Sequence, residues 1–336
     1  LVLLGMLLWG LFGQMRHAFQ ALAGSSSSMA YRASEPPLEE VVLEARGGDD
    51  KILVVDIVGI ISSGLFDGEG NMVARVEHQF KRAARAHDVK AVILRVNSPG
   101  GEVLASDDIY RVIEEFQRKT EKPVVASMGS VAASGGYYVS APCAWIVANE
   151  LTITGSIGVI MHGYNYRGLM DKVGVRPQVY KSGRFKDMMS GDKAPEEILP
   201  EERQMVQSLV DNTFQRFKEV IAQGRKAAQK RNDGKGRALT NEWESLADGR
   251  VLSGKEAFEA GFVDELGTFK QAVERAQRLA GIEDADLIQY QEPFHLGNLF
   301  RLLGKTETGK LKLDLGVDLP RMQAGLLYYL FLPGGL

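Results

Sequence analysis

Two glycine-rich turns hold the side chains best suited to do chemistry. The run Met128-Gly-Ser-Val-Ala-Ala-Ser-Gly-Gly-Tyr-Tyr138 follows an apolar, β-branched stretch, Pro123-Val-Val-Ala-Ser127. That order reads as a strand turning into a small-residue helix. A serine at such a turn exposes its hydroxyl for attack, and the backbone N–H groups beside it can receive developing negative charge. Ser134 is therefore the candidate nucleophile. Upstream, Ala91-Val-Ile-Leu-Arg-Val96 reads as a buried strand and runs into Asn97-Ser-Pro-Gly-Gly-Glu102. Pro99 fixes φ and removes a donor, while Gly100 and Gly101 allow the dihedrals of a sharp turn. A helix is predicted from Val103 to Lys119, because Leu104, Ile109, Val112, Ile113 and Phe116 recur at helical spacing. Acyl transfer needs two N–H donors converging on one oxygen beside the nucleophile. The second turn can supply the N–H of Gly135 and the first that of Gly101.

A serine hydroxyl is a poor nucleophile until a base takes its proton. The chain has five histidines. His17 follows the N-terminal apolar run, His78 and His87 lie in a charged helical segment, and His295 lies in a late, loop-like stretch. His162, after Gly158-Val-Ile-Met161, is the one histidine that rivals a lysine as the base. The lysines in question lie in Lys181-Ser-Gly-Arg-Phe-Lys-Asp-Met-Met-Ser190. A lysine serves as a base near neutrality when burial disfavours its charged form, and it then needs a hydroxyl or carbonyl to orient it. Ser156, in the turn Thr154-Gly-Ser-Ile-Gly158, can do this. Residue types alone leave the choice between histidine and lysine open.

Four segments together resemble the signal peptide peptidase A family of bacterial serine proteases. They are Asn97-Ser-Pro-Gly-Gly101, Gly129-Ser-Val-Ala-Ala-Ser-Gly-Gly-Tyr137, Leu151-Thr-Ile-Thr-Gly-Ser-Ile-Gly-Val159 and Lys181-Ser-Gly-Arg-Phe-Lys-Asp187. A fifth, Gly249-Arg-Val-Leu-Ser-Gly-Lys-Glu-Ala257 followed by Gly261-Phe-Val-Asp-Glu-Leu-Gly267, is similar to that family too. The resemblance implies a Ser–Lys dyad with Ser134 as nucleophile and Lys186 as general base. It implies that Ser156 bonds the lysine amine and that Gly101 and Gly135 form the oxyanion hole. The spacing of the dyad suits the short, unduplicated form of the family. His162 then becomes a bystander, although the related Clp protease uses a histidine in the same broad fold. No cofactor and no metal is expected. The resemblance also implies a homo-oligomer in which neighbouring protomers supply serine and lysine.

The elements that must hold these residues alternate between strand and helix. Ile52-Leu-Val-Val-Asp-Ile57 and Trp145-Ile-Val-Ala148 read as further strands, and Met72 to Ala86 as a charged amphipathic helix. Such alternation predicts an α/β core of buried, largely parallel strands, and the resemblance implies the crotonase- and Clp-like ββα superhelix. Pro195 to Arg231 reads as one long helix with Ile198, Met205, Val206, Leu209, Val210, Phe214 and Phe217 facing a core. Asn232-Asp-Gly-Lys-Gly236 reads as a turn with no phosphate-binding pattern.

The N-terminal stretch differs in kind. Leu1 to Gly13 is uncharged and apolar but shorter than the about 20 residues a spanning helix needs. Residues 1–15 are expected to be the remnant of a membrane anchor or signal anchor. Residues 16–50, with Ser25-Ser-Ser-Ser28 and Pro36-Pro37, are expected to be a linker. A peptidase domain is expected over 51–283 and a C-terminal extension over 284–336, a candidate oligomer contact; its apolar run Gly325 to Pro333 is expected to pack on the domain, the alternative being contact with a subunit or a membrane surface. At 336 residues the chain can bury a sizeable core, and its net charge of −3 gives no broad basic surface for nucleic acid. The single cysteine, Cys143, excludes an intrachain disulfide and is expected to pack rather than react.

The function expected is a membrane-associated serine endopeptidase that degrades cleaved signal peptides and other extended, apolar peptides. It is expected to be anchored in the cell membrane by a single pass, with the catalytic domain outside the cytoplasm. Two alternatives are an acyl-CoA enzyme of the crotonase type, using the same oxyanion-hole loops without the dyad, and a catalytically silent membrane scaffold.

Overall fold

Strands that read as unbroken apolar runs have to be covered on both faces, and the sheet at the centre of this chain is built that way. The computed structural model describes residues 38–64, 71–292 and 327–331, within one unit that spans residues 38–336. The strands are β1 (Glu39–Glu44), β2 (Asp50–Val58), β3 (Val89–Ser98), β4 (Gly100–Glu102), β5 (Val124–Ala132), β6 (Trp145–Ala148), β7 (Ile153–Gly155), β8 (Ile160–Met161), β9 (Val251–Ser253), β10 (Glu265–Leu266), β11 (Ala285–Gln291) and β12 (Leu327–Leu330). The helices used below are α1 (Met72–Arg85), α2 (Val103–Thr120), α3 (Gly135–Ser140), α4 (Pro200–Arg231) and α5 (Phe269–Ala280).

The main sheet runs β1-β11-β2-β3-β5-β6-β10, with β7 joined to β5 and β9 joined to β7. The pairs β11/β2, β2/β3, β3/β5, β5/β6 and β6/β10 are parallel. Along β2 the side chains alternate between two cores. Leu53, Val55 and Ile57 join one with α1 and α2, while Ile52 and Val54 join the other with α5. The α/β class and the parallel core expected from the sequence hold.

This topology positions the chemistry. In an open parallel sheet, loops at the carboxyl ends of neighbouring strands share one crevice. β3 and β5 are neighbours, so the turn from β3 into α2 and the turn from β5 into α3 emerge side by side. Ser98 pairs with Ala132, and the Ala133 N–H donates to the Ser98 carbonyl at 3.1 Å. A second, small sheet, β4-β12-β8, lies over this crevice with both pairings antiparallel.

Three expectations need correction. The helix expected from Pro195 to Arg231 is broken. A single 3-10 turn covers Pro195–Glu197, and α4 starts at Pro200 after Leu199 at ψ 145°. A residue before proline is pushed out of the helical region, and proline fits the first helical position, so the break falls there. The apolar stripe expected to face a core does so only in part. Phe217, Val220, Ile221 and Ala228 are buried, whereas Met205 and Leu209 are exposed. Finally, the stretch read as a linker contains β1, which pairs antiparallel with β11, a strand of the stretch read as an extension. β11 covers the edge of β2, and β1 closes that side in turn. A Glu-rich strand exposed along its length lacks the alternation that would have marked it.

The candidate anchor, residues 1–15, lies outside the described residues. Among the described residues no helix is long and apolar enough to cross a membrane. The expected packing of the C-terminal apolar run is seen in β12, whose Tyr328, Tyr329 and Leu330 are buried.

One buried ion pair ties α4 to the sheet. Arg225 bonds Asp264 and also donates to the Cys143 carbonyl at 3.1 Å. Asp264 accepts from the backbone N–H groups of Ile146 at 2.8 Å and Arg237 at 3.0 Å. Burial pushes the neighbouring Cys143 thiol up to about 12, so it stays protonated and inert at neutral pH, as its packing role requires. Removing one partner of such a pair strands a buried charge. Asp264→Ala is expected to cost about 3–5 kcal/mol, read as a lower midpoint in urea unfolding at unchanged slope.

Candidate active site

The site begins with a strained residue. Ser134 links β5 to α3 at φ 53° and ψ −116°, a region that side-chain-bearing residues rarely occupy. Three backbone bonds hold it there. Its N–H donates to the Gly155 carbonyl at 2.9 Å, its carbonyl accepts from the Tyr138 N–H at 2.9 Å, and the Gly136 N–H donates to the Ala133 carbonyl at 2.8 Å. The strain is held by backbone, and among the described residues the Ser134 hydroxyl makes no capping bond to α3.

The two glycine turns meet at backbone distance. A Cβ on Gly135 would lie 2.8 Å from the Ser106 hydroxyl and 3.1 Å from the Gly101 nitrogen. A Cβ on Gly101 would lie 2.6 Å from the Ile61 nitrogen. Only glycine fits at either position. Ile61 locks the first turn from outside, donating its N–H to the Gly100 carbonyl at 2.8 Å and accepting the Glu102 N–H at 2.8 Å. The backbones of Gly101 and Gly135, the two expected oxyanion donors, are thus neighbours.

Ser156 stands against the same turn. It sits at φ 48°, nearly buried, one residue after the Gly155 carbonyl that fixes Ser134. Thr154 donates its hydroxyl to the Ala132 carbonyl at 2.7 Å, which binds β7 to the end of β5. Ser134, Gly135, Gly101 and Ser156 therefore come together from three separate motifs.

Lys186 differs. It is exposed, in a turn where its N–H donates to the Gly183 carbonyl at 3.2 Å. Among the described residues no hydrogen bond joins it to Ser134 or Ser156. The turn itself is braced by ion pairs. Lys181 bonds Asp187 at 2.8 Å, and Lys193, buried, bonds Glu202 at 2.6 Å. The Glu202 bond raises Lys193 above the ordinary lysine range, so this buried lysine stays charged and is excluded as a base. His162 follows β8, half-buried, with its ring 6.4 Å from that of Tyr164.

Sequence reasoning missed three parts of the site. Ile61 carries no chemical signal, since only its backbone acts. Tyr138 reads as one more aromatic after the nucleophile, yet its hydroxyl donates to Asp107 at 2.6 Å across the crevice. β12 was expected only to pack, whereas it pairs directly with the Gly101 strand. Among the described residues no cluster of three or more His, Cys, Asp or Glu could hold a metal ion.

A strained serine at a strand-to-helix turn, with two glycine backbones beside it, fits the site of a serine hydrolase. Comparison with known proteins narrows the class. Peptidase family S49 matches residues 116–283. The chain is 36% identical over 261 residues to a putative signal peptide peptidase SppA of Enterococcus faecium, covering 76% of this chain and 71% of that one. It is 37% identical over 247 residues to a putative protease of Synechocystis, covering 72% and 80%. It is 34% identical over 250 residues to protease 4 of Haemophilus influenzae, covering 74% of this chain and 38% of that longer one. Among solved structures, a mutant ClpP1 from Listeria monocytogenes superposes with a TM-score of 0.40 at 16% identity, over 66% of this chain and 94% of that one. That superposition is too loose to carry an argument. The chain belongs to peptidase family S49, a serine protease family, which sets aside the acyl-CoA alternative.

The crowding around Gly101 gives a direct check. Gly101→Ala forces the Ile61 backbone or the turn to shift, moving one N–H donor. Peptide turnover is expected to fall about 100-fold or more, in a steady-state assay, while far-ultraviolet circular dichroism keeps its native shape.

Proposed function

We propose that this protein is a membrane-associated serine endopeptidase that degrades cleaved signal peptides and other extended, apolar peptides through a Ser134–Lys186 dyad. The observation that carries the reading is the strained Ser134 turn, with the Gly101 and Gly135 backbones beside it and Ser156 behind. The name borne by the Enterococcus relative supports the substrate class.

In this reading neutral Lys186 accepts the Ser134 proton as the hydroxyl oxygen attacks a peptide carbonyl. The N–H groups of Gly101 and Gly135 hold the tetrahedral oxyanion. Protonated Lys186 gives its proton to the leaving amine, and water, activated by the same lysine, hydrolyses the acyl-enzyme. Ser156 holds the amine in line.

A base of this kind has to be desolvated, and Lys186 is exposed in the single chain. The burial therefore comes from a neighbouring copy, with the lysine of one protomer serving the serine of the next. Exposed apolar residues near that lysine in sequence fit such a contact: Val173, Val175, Val179 and Tyr180, and Met205 and Leu209 on the unburied half of α4. The N-terminal apolar residues anchor the assembly, with the catalytic domain outside the cytoplasm.

Lys186→Ala is expected to abolish peptide cleavage, while His162→Ala keeps most of it. A dead His162→Ala beside an active Lys186→Ala would reverse the assignment. Mixing Ser134→Ala chains with Lys186→Ala chains is expected to restore part of the activity. No recovery at any ratio would place both residues in one chain.

A further inference from the structure

The lysine segment is a loop closed at its base. Residues 165–167 meet residues 191–193, where the chain leaves and returns. The Tyr166 N–H donates to the Gly191 carbonyl at 2.8 Å, the Asn165 side-chain amide to the Lys193 carbonyl at 2.9 Å and the Arg167 guanidinium to the Asp192 carbonyl at 3.4 Å. Lys186 lies within this loop, in a turn where the Met188 N–H donates to the Phe185 carbonyl at 3.0 Å. A base carried on a loop has to be held as closely as one on a strand, because misplacing a reacting group by about 1 Å costs about 100-fold in rate.

Lys193 ties the closed loop to a helix. Its ammonium donates to Glu202 Oε1 at 2.6 Å, in the first turn of α4. The same nitrogen lies 3.5 Å from Oδ1 of Asp187, the residue after Lys186. Asp187 already accepts Lys181 through both oxygens at 2.8 Å, so charge balance gives Lys193 no reason to reach it. What the second contact adds is a route from the base to α4, whose other end is fixed to the sheet by Arg225 and Asp264.

The pair is a poor choice for stability alone. The Lys193 and Glu202 side chains are 8% and 3% exposed. The second oxygen of Glu202, Oε2, is buried without a hydrogen-bond partner among the described residues. A buried ion pair with an unbonded oxygen is often no more stabilising than apolar residues of similar volume. We propose that Lys193 is a positioning residue for the base: held by Glu202 and reaching Asp187, it sets the place of the Lys186 turn relative to α4, and with it the approach of the Lys186 amine to the serine hydroxyl. This rests on the dyad reading. It assigns the buried pair to the rate of proton transfer rather than to the strength of the fold.

Four full-length chains test it, read by steady-state peptide cleavage and by urea unfolding: the wild type, Lys186→Ala, Asp187→Asn, and the apolar pair Lys193→Met with Glu202→Met. Lys186→Ala is expected to be inactive, and an active one overturns the dyad reading and this proposal together. The apolar pair is expected to unfold at a urea midpoint no lower than that of the wild type, to lose about tenfold or more in kcat and to keep KM within about twofold. Wild-type kcat in that chain, beside a dead Lys186→Ala, overturns the positioning role alone. So does a midpoint that falls together with kcat, the mark of a merely structural pair. Asp187→Asn breaks the contact from the half-buried side of the loop and leaves the buried pair intact. It is expected to lower kcat by a similar factor at an unchanged midpoint, and wild-type turnover there overturns the route through Asp187.

Discussion

The site depends on two backbone turns touching without side chains between them. Gly101 and Gly135 come from different motifs, yet each sits where a single methyl group would strike the other turn or Ile61. That approach is possible because β3 and β5 are parallel neighbours whose carboxyl ends release both turns into one crevice. The cores on both faces of the sheet fix the strands, the strands fix the turns, and the turns fix two N–H vectors. Rigid donors of this kind need no reorganisation when charge appears on a substrate oxygen. The strain at Ser134 belongs to the same design, since its backbone bonds to Gly155 and Tyr138 hold a conformation that an isolated serine avoids.

The proposed lysine base sets the opposite requirement. A hydrogen bond that the buried Lys193 donates to the Glu202 carboxylate keeps it charged, so burial alone does not make a base. What is needed is burial without a carboxylate. Among the described residues Lys186 carries no ion pair, unlike Lys181 and Lys193 in the same segment. The segment is therefore ordered by two lysines that hold carboxylates and leaves the third for other work. The half-exposed α4 follows the same logic, with one end anchored by Arg225 and Asp264 and the other carrying apolar side chains outward.

Much of this was legible in the sequence because it was written in residue types. Strand runs such as residues 52–55 and 145–148 are apolar throughout, so both their existence and their burial could be read. Ser134, Gly101, Gly135 and Ser156 sit in small-residue turns that announce unusual backbone. Lys186 was legible only through the family motif, since nothing in its local composition separates it from Lys181. Other features act through backbone or distant partners and leave no local mark. Ile61 contributes an N–H and a carbonyl that any residue has. β1 lacks alternation and forms only because β11 offers an edge. The break before α4 was visible in Pro200 but was overridden by the helical spacing on both sides of it.

The pairing of β12 with β4 joins a late segment of the sequence to its first glycine turn. A ribosome makes Gly101, Ser134 and Ser156 well before it reaches Leu327. At about 5–20 residues per second the interval is on the order of ten seconds, long compared with the folding of local structure. The two glycine turns are therefore made well before the strand that pairs with one of them.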